Sequence, residues 1–381
     1  MTVRMRRLPV LALVVAAVAA LALSLTVTPR AGAIVSTNPD PMCQTNGRVN
    51  AVVYLGGTIY LGGSFTQVNG QTRNRLAACN ASNGALLGWN PNANNVVRAM
   101  KVSPAGTRVY VGGDFTAVGG AARSRVAALS PSSGAAFGWN PYVNDQVKAI
   151  TTSTTGSTVY VGGDFSSAAG AGRSRLASFN ATSANLTSLK PSFSNGAGNF
   201  ATVLTLAISP NNQTLYVGGD FALVNGHSRR NAAAVSSGIG TLRSWSPAST
   251  ADVVDELTVS ASGNTVFAGG RGAGGYAQAY GPTSGGTPVW NKATNGDVEA
   301  LAIVSSTLYI GGHFTTVGGS PRGHLAALSS SGGLLSWNPD ANGVFGAFGA
   351  AITSSRVAFG GEFTTINGAA HQGVAQFSGA A

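Results

Sequence analysis

Charge is scarce in this chain. Only 9% of its 381 residues are Asp, Glu, Lys or Arg, against ~25% in an ordinary soluble domain. Coiled coils and long solvent-exposed helices are thereby excluded, because their outer faces need charges. Lysine occurs only at Lys101, Lys148, Lys190 and Lys292, and no basic run exists. The formal net charge of +11 is therefore read as scattered solvated arginines, and no nucleic-acid partner is expected. Arg4, Arg6, Arg7 and Arg30 lie in the first 33 residues, which hold no acid, so the remainder carries 19 − 12 = +7. No segment keeps a 3.6-residue apolar period, and helix content near zero is expected. What the chain has in quantity is glycine, 53 residues, within a 44% hydrophobic composition. It is too apolar for charge-driven disorder, and its glycines lack the period of three that collagen needs.

Residues 1–33 read as a secretory signal. Met1 to Arg7 is basic, Leu8 to Val27 is almost wholly apolar, and Ala31-Gly32-Ala33 is a small-x-small cleavage site. The apolar run is also long enough to span a bilayer, so an uncleaved anchor is the alternative. No cysteine follows the cleavage site for lipidation, and no second apolar span appears. The mature chain, 34–381, is expected to be one secreted, extracellular domain that leaves the membrane once the signal is cut.

One phrase recurs along that chain. Tyr110-Val111-Gly112-Gly113-Asp114-Phe115 returns at Tyr160 to Phe165 and Tyr216 to Phe221. Looser copies stand at Tyr60 to Phe65, Tyr309 to Phe314 and Ala358 to Phe363, and a degenerate one at Phe267-Ala268-Gly269-Gly270-Arg271. The first glycine of each pair falls at 62, 112, 162, 218, 269, 311 and 360. The second unit shows four β-like pieces, Val96 to Val102, Arg108 to Phe115, Arg125 to Leu129 and Ala135 to Trp139, divided by turn chemistry such as Ser103-Pro104-Ala105-Gly106. Seven units of four strands predict an all-β, seven-bladed β-propeller. A linear β-solenoid is the alternative, though its coils are shorter. Glycine inside a strand marks close backbone approach, as expected between blades near an axis.

The full pattern is Tyr-Val-Gly-Gly-x-Phe-x-x-Val-x-Gly-x-x-Arg-x-x-Leu-Ala-Ala, then Gly and Trp-Asn-Pro. It resembles the delta-60-type repeat of an actinobacterial secreted β-propeller family classed as a domain of unknown function. More distantly it is similar to the propeller of fungal cortical polarity markers. The resemblance spans about all of the mature chain. It implies secretion, a propeller and frequent attachment to other extracellular modules, although no appended module is expected here. It implies no reaction and no catalytic residues.

An arginine pair opens the third strand of several units: Arg73 and Arg75, Arg123 and Arg125, Arg173 and Arg175, with Arg229-Arg230 a shifted version and Arg322 with His324 a partial one. On one face, called the top, these pairs would form a broken cationic ring suited to carboxylate or phosphate. The structural alternative is an Asp–Arg staple to Asp114, Asp164, Asp220 and Glu362, which end the second strands. The five tryptophans all fall in the Trp-Asn-Pro phrase, read as packing over the outer edge of each blade. His227, His313, His324 and His371 occupy four different repeat positions without metal-ligand spacing. The Asn338–Gly343 loop lacks the carboxylate density of a calcium site. No metal and no cofactor are expected, and no Gly-x-Ser-x-Gly elbow exists. Asp252, Asp255, Glu256, Asp297 and Glu299 cluster around the irregular fifth unit and are where an enzymatic acid would be sought.

The reading that results is a monomeric, secreted, non-enzymatic binding or scaffold module. Its partner is an extracellular protein or a cell-wall or other anionic polymer. The alternatives are a carbohydrate-binding lectin and an extracellular glycan-processing enzyme with its site at the top face. The last unit lacks a fourth strand, and Ile34 to Thr37 resembles Leu334 to Trp337 register for register. Those residues are expected to complete the last blade and remove two open sheet edges. An exported chain with two cysteines favours a Cys43–Cys79 bridge. The same register places them ~13 Å apart, beyond bridging reach, and favours a buried free Cys79.

Overall fold

The recurring Tyr-Val-Gly-Gly phrase, with β-branched and aromatic residues leading into a glycine pair, forms the middle strand of each repeat. In the computed structural model, which describes residues 35–196, 200–247 and 253–379, these strands run Thr58–Gly63, Val109–Gly113, Thr158–Gly163, Thr214–Asp220, Val266–Arg271, Thr307–Gly312 and Arg356–Gly361. The expected signal, residues 1–33, lies outside the described residues, as do Ile34 and Asp252. Among the described residues there is no helix.

Each middle strand pairs antiparallel with a first strand before it and a third strand after it, giving seven principal sheets among the described residues. The first strands are Val49–Leu55, Val97–Val102, Val147–Thr152, Thr202–Ile208, Val253–Val259, Val298–Val304 and Ala347–Ile352. They touch in succession, sheet one against two and so on, and the first strand of sheet seven touches that of sheet one. The core lies between sheets rather than within one. Tyr60, Leu76 and Trp89 of sheet one, for example, pack with Val97, Met100 and Val111 of sheet two.

The glycine pairs carry the expected close approach. A Cβ on Gly112 would stand 2.5 Å from Val147 Cγ1 of the next sheet, and one on Gly360 would stand 2.5 Å from Val49 Cγ1. The second glycine instead faces its own first strand, with Gly113 against the Val96 carbonyl.

The fourth piece is a full strand only in sheet five, at Gly285–Ala293. In sheets one to four and six it is a single bridge, such as Cys79↔Leu86 or Leu129↔Ala136. The tryptophan of the Trp-Asn-Pro phrase turns toward the next sheet. Trp89, Trp139, Trp245 and Trp290 donate their indole N–H to Ser130, Asn180, Gly281 and Ser330 carbonyls, at the end of the next sheet's third strand, over 2.8–2.9 Å. The rings of Trp89, Trp139 and Trp245 also meet a tyrosine of their own sheet edge-on, as Tyr110 and Trp139 do at 5.2 Å, whereas Trp290 lies tilted against Phe267 at 6.1 Å. The tryptophans are thus links between sheets and not only covers of their own edge.

The N-terminal segment lies in a different register from the expected one. In other sheets the third residue of the third strand accepts from the fourth piece, as Ala327 does from the Leu335 N–H. The expected alignment gives that place in sheet seven to Val35; Asp40, five residues later, occupies it, donating to the Gln376 carbonyl at 2.7 Å. The Asp40 carboxylate fixes this register by accepting from Gln376 Nε2 and Ser378 Oγ. Ahead of it, Val35 packs with Tyr309 and Trp337 of sheet six, and Ser36 donates to the Ser378 carbonyl of sheet seven at 3.3 Å while accepting the Trp337 indole at 3.0 Å. The shift brings Cys43 beside Cys79. The two are bonded with Cα atoms 6.4 Å apart, which corrects the expectation of a free Cys79.

Candidate functional site

The arginine pairs serve the main chain. Arg73, Arg123, Arg173 and Arg322 each donate through Nη2 to a carbonyl of the fourth piece of their own sheet: Leu87, Phe137, Thr187 and Leu335, at 2.7–3.2 Å. Arg75, Arg125 and Arg175 sit at φ of 67–69°, in left-handed backbone, and donate through Nη1 to the carbonyls of Ser64, Asp114 and Asp164. His324 holds the same position at φ 62°, is buried, and places its ring nitrogens 3.1 and 3.0 Å from the Gly312 and Gly343 carbonyls. Each guanidinium is engaged within its own unit. The expected Asp–Arg carboxylate staple is replaced by these carbonyl bonds.

Three of the four acids at the ends of the middle strands face other cations, and Asp220 accepts from Asn195 Nδ2 at 3.1 Å. Arg98 forms a fork on Asp114, with bonds of 2.8 and 2.7 Å. Lys148 pairs with Asp164 at 2.8 Å, and Arg48 with Glu362 at 2.6 Å. Arg48 also lies over the Phe348 ring at 4.1 Å. All three cations line one cavity at the starts of the first strands, with a volume of about 380 Å³. That is within the range of small-ligand sites.

The backbone builds this cavity in a regular way. Every first strand is bulged at the same place, one residue past its start or, in sheets four and five, two. A bulge re-aims one side chain out of the ladder and is often found beside functional sites. The residues so placed are Asn50, Arg98, Lys148, Leu204, Asp255, Glu299 and Phe348, and all seven line the cavity. The backbone repeats while the side chains differ. Sequence reasoning missed Arg98 and Lys148, taking them as solvated. The available signal was the spacing Val97-Arg98-Ala99, Val147-Lys148-Ala149 and Val298-Glu299-Ala300, one variable residue between two buried small ones.

Three of the acids singled out around the irregular fifth unit meet at this cavity. Asp255 is forked by Arg271 at 3.1 Å. Burial raises the Asp255 carboxyl above its usual range, opposed by that guanidinium. Glu256 is pushed up to about 8, first by burial and also by Asp255, against a Thr205 hydrogen bond and Lys101. Glu299 is pushed up to about 7, by burial and then Asp255, with Arg271 opposing. Lys101, deeper along the first strand of sheet two, is lowered by burial. Asp297 lines a separate depression with His313, His324 and Asn295. Among the described residues, no three His, Cys, Asp or Glu side chains converge as metal ligands.

Residues 57–86 match a family model. Its description is "Domain of unknown function (DUF5122) beta-propeller", and the match runs from the middle strand of sheet one to the Leu86 bridge of its fourth piece. No curated protein matches the sequence. Among solved structures, the crystal structure of the computationally designed Ika8 protein is similar, with a TM-score of 0.53 and 13% identity over 90% of this chain and 100% of that one. At that identity the likeness concerns the fold alone. The fold is all-β and of the β-propeller type.

Proposed function

We propose that this chain is a secreted binding module, a ring of seven blades closed between sheets seven and one, that holds a ligand in the axial mouth at its top face without turning it over. The observation that carries the reading is the row of seven bulges aiming seven different side chains into one cavity. Closure is supported by the contact of Gly360 with Val49 and by the tie from Asp40 to Gln376. Export is supported by the Cys43–Cys79 bond, which suits an oxidising compartment.

The rim supports a partner larger than the cavity. Tyr142, Phe200, Val344 and Phe345 are exposed, and all lie in the segments leading into first strands, on the face of the mouth. Aromatic groups left in water at one rim suit an extracellular protein or a sugar polymer. The arginine pairs hold the frame of this face through the carbonyls they bind.

The test is an array of extracellular glycans, peptides and wall polymers probed with the purified protein. Leu204→Trp should fill the mouth, and Tyr142→Ala with Phe345→Ala should strip the rim, without loss of folding. Binding that vanishes in these variants, with ligand recovered intact, supports the reading. Binding unchanged in both variants overturns it. Turnover of an array component that is lost in Glu256→Gln or Glu299→Gln replaces it with the enzyme alternative.

A further inference from the structure

The seven bulged side chains are sorted by charge around the mouth. Arg98 and Lys148 come from neighbouring sheets two and three, and Asp255 and Glu299 from neighbouring sheets five and six. Leu204 separates the two arcs on one side, and Phe348 with Asn50 on the other, where Arg48, paired with Glu362, lies over the Phe348 ring. Neither arc is cancelled by the other, because three of the four groups are balanced from elsewhere, and Glu299 has no ion-pair partner among the described residues. Asp114 and Asp164 hold Arg98 and Lys148, and Arg271 holds Asp255.

Polar capacity facing the cavity remains on both arcs. Arg98 uses Nε and Nη2 on Asp114, and its Nη1 makes no hydrogen bond among the described residues. An ammonium has three donors, and Lys148 directs them at Asp164 and, at 3.5 Å, Thr202. Glu299 forms no ion pair or hydrogen bond among the described residues; Asp255, Asp297, Arg271 and Arg48 face it at longer range. Met100, Ile150, Leu206 and Leu301 supply apolar wall between the arcs.

We propose that this ring selects a small zwitterion, a molecule with an ammonium at one end and a carboxylate at the other of a short apolar frame, such as an amino acid or a short peptide. The ammonium lies against Glu299 and the carboxylate against Arg98 and Lys148. A ligand with no net charge leaves the four ion pairs of the mouth undisturbed, whereas a bare cation or anion adds to one arc alone. The inference rests on the axial-mouth reading and names its ligand class.

The experiment is calorimetric titration of the purified protein with linear ω-amino acids from glycine to 8-aminooctanoate, and with alkylamines and alkanoates of matching length. Affinity should peak at one length, with the singly charged analogues at least about tenfold weaker. Glu299→Gln should weaken zwitterion and amine together. Arg98→Gln combined with Asp114→Asn, which removes that pair without leaving a bare charge, should weaken zwitterion and alkanoate together. Binding independent of length, amines or alkanoates as tight as the zwitterion, or no binding by any probe overturns the inference. The mouth reading stands through those outcomes. It falls if an array ligand keeps full affinity after Leu204→Trp and after removal of the rim aromatics, or if an array component is turned over.

Discussion

Removing the Cys43–Cys79 bond tests how the N-terminal segment is fastened. The bond closes a loop across a sequence separation of 36 and ties the segment that occupies the edge of sheet seven to the third strand of sheet one. For a loop of that length, chain entropy lost from the unfolded state corresponds to ~3.8 kcal/mol at 25 °C. Spread over the roughly 345 residues from Val35 to Gly379, at about 2.1 cal/mol/K each, this is a fall in Tm of ~5 °C. Both cysteines are fully buried, so reductant reaches them only through unfolding. The comparison is therefore between protein refolded oxidised and the same chain refolded in reductant, each melted by calorimetry. This isolates the bond from the side-chain packing that an alanine variant would also change. Alkylation in denaturant without reductant must leave the oxidised sample unlabelled. Two labels per chain, or a Tm that does not move on reduction, refutes the reasoning.

A Gly112→Ala variant should lose ~1–3 kcal/mol through overpacking against Val147, whereas Gly120→Ala, in left-handed backbone at φ 78° with open space around it, should cost only ~1 kcal/mol; urea unfolding separates the two. Trp139→Phe should cost about 1 kcal/mol for the lost indole bond to Asn180, and Trp139→Ala about 3–5 kcal/mol for the emptied site, both read as shifts in urea midpoint. Glu256 and Glu299 hold their protons more tightly folded than unfolded, so stability should be greatest below the unfolded value of 4.5 and fall as pH rises to about 8. Melting curves across that range should fall less steeply in Glu256→Gln, and an equal slope removes the claim of a buried acid.

The repeat made the strands legible, because a glycine pair after Tyr-Val can only end a strand that a neighbour approaches closely. The acid cluster was legible for another reason: Asp255, Glu256 and Glu299 interrupt a pattern that otherwise has few acids. Arg98 and Lys148 were hidden, since a bulge is a backbone event and a lone cation between Val and Ala looks the same whether it faces water or a cavity. The N-terminal register was hidden as well. The apolar likeness of Ile34–Thr37 to Leu334–Trp337 pointed to one alignment, and the Asp40 carboxylate, bonded to Gln376 and Ser378 more than 330 residues away, fixed another.

The outer edges between successive sheets are unequally fastened. Sheets one and two, two and three, four and five, and five and six are each fastened by an indole bond of 2.8–2.9 Å, and sheet seven is tied to sheet one through a covalent bond. Between sheets three and four the tryptophan position is Leu189, which has no donor. At the outer edge the fastening there is Ser188 Oγ to the Gly238 carbonyl at 3.2 Å and the Lys190 N–H to Ile239 at 3.3 Å; elsewhere along this seam the Thr154 N–H donates to Asn212 Oδ1 at 2.7 Å and Thr202 Oγ1 to Asp164 Oδ1 at 2.5 Å. Under heat the outer edge of that seam should loosen first, so amides flanking it, in Thr187–Lys190 and Ser236–Gly240, should exchange with solvent ahead of their counterparts at the other outer edges.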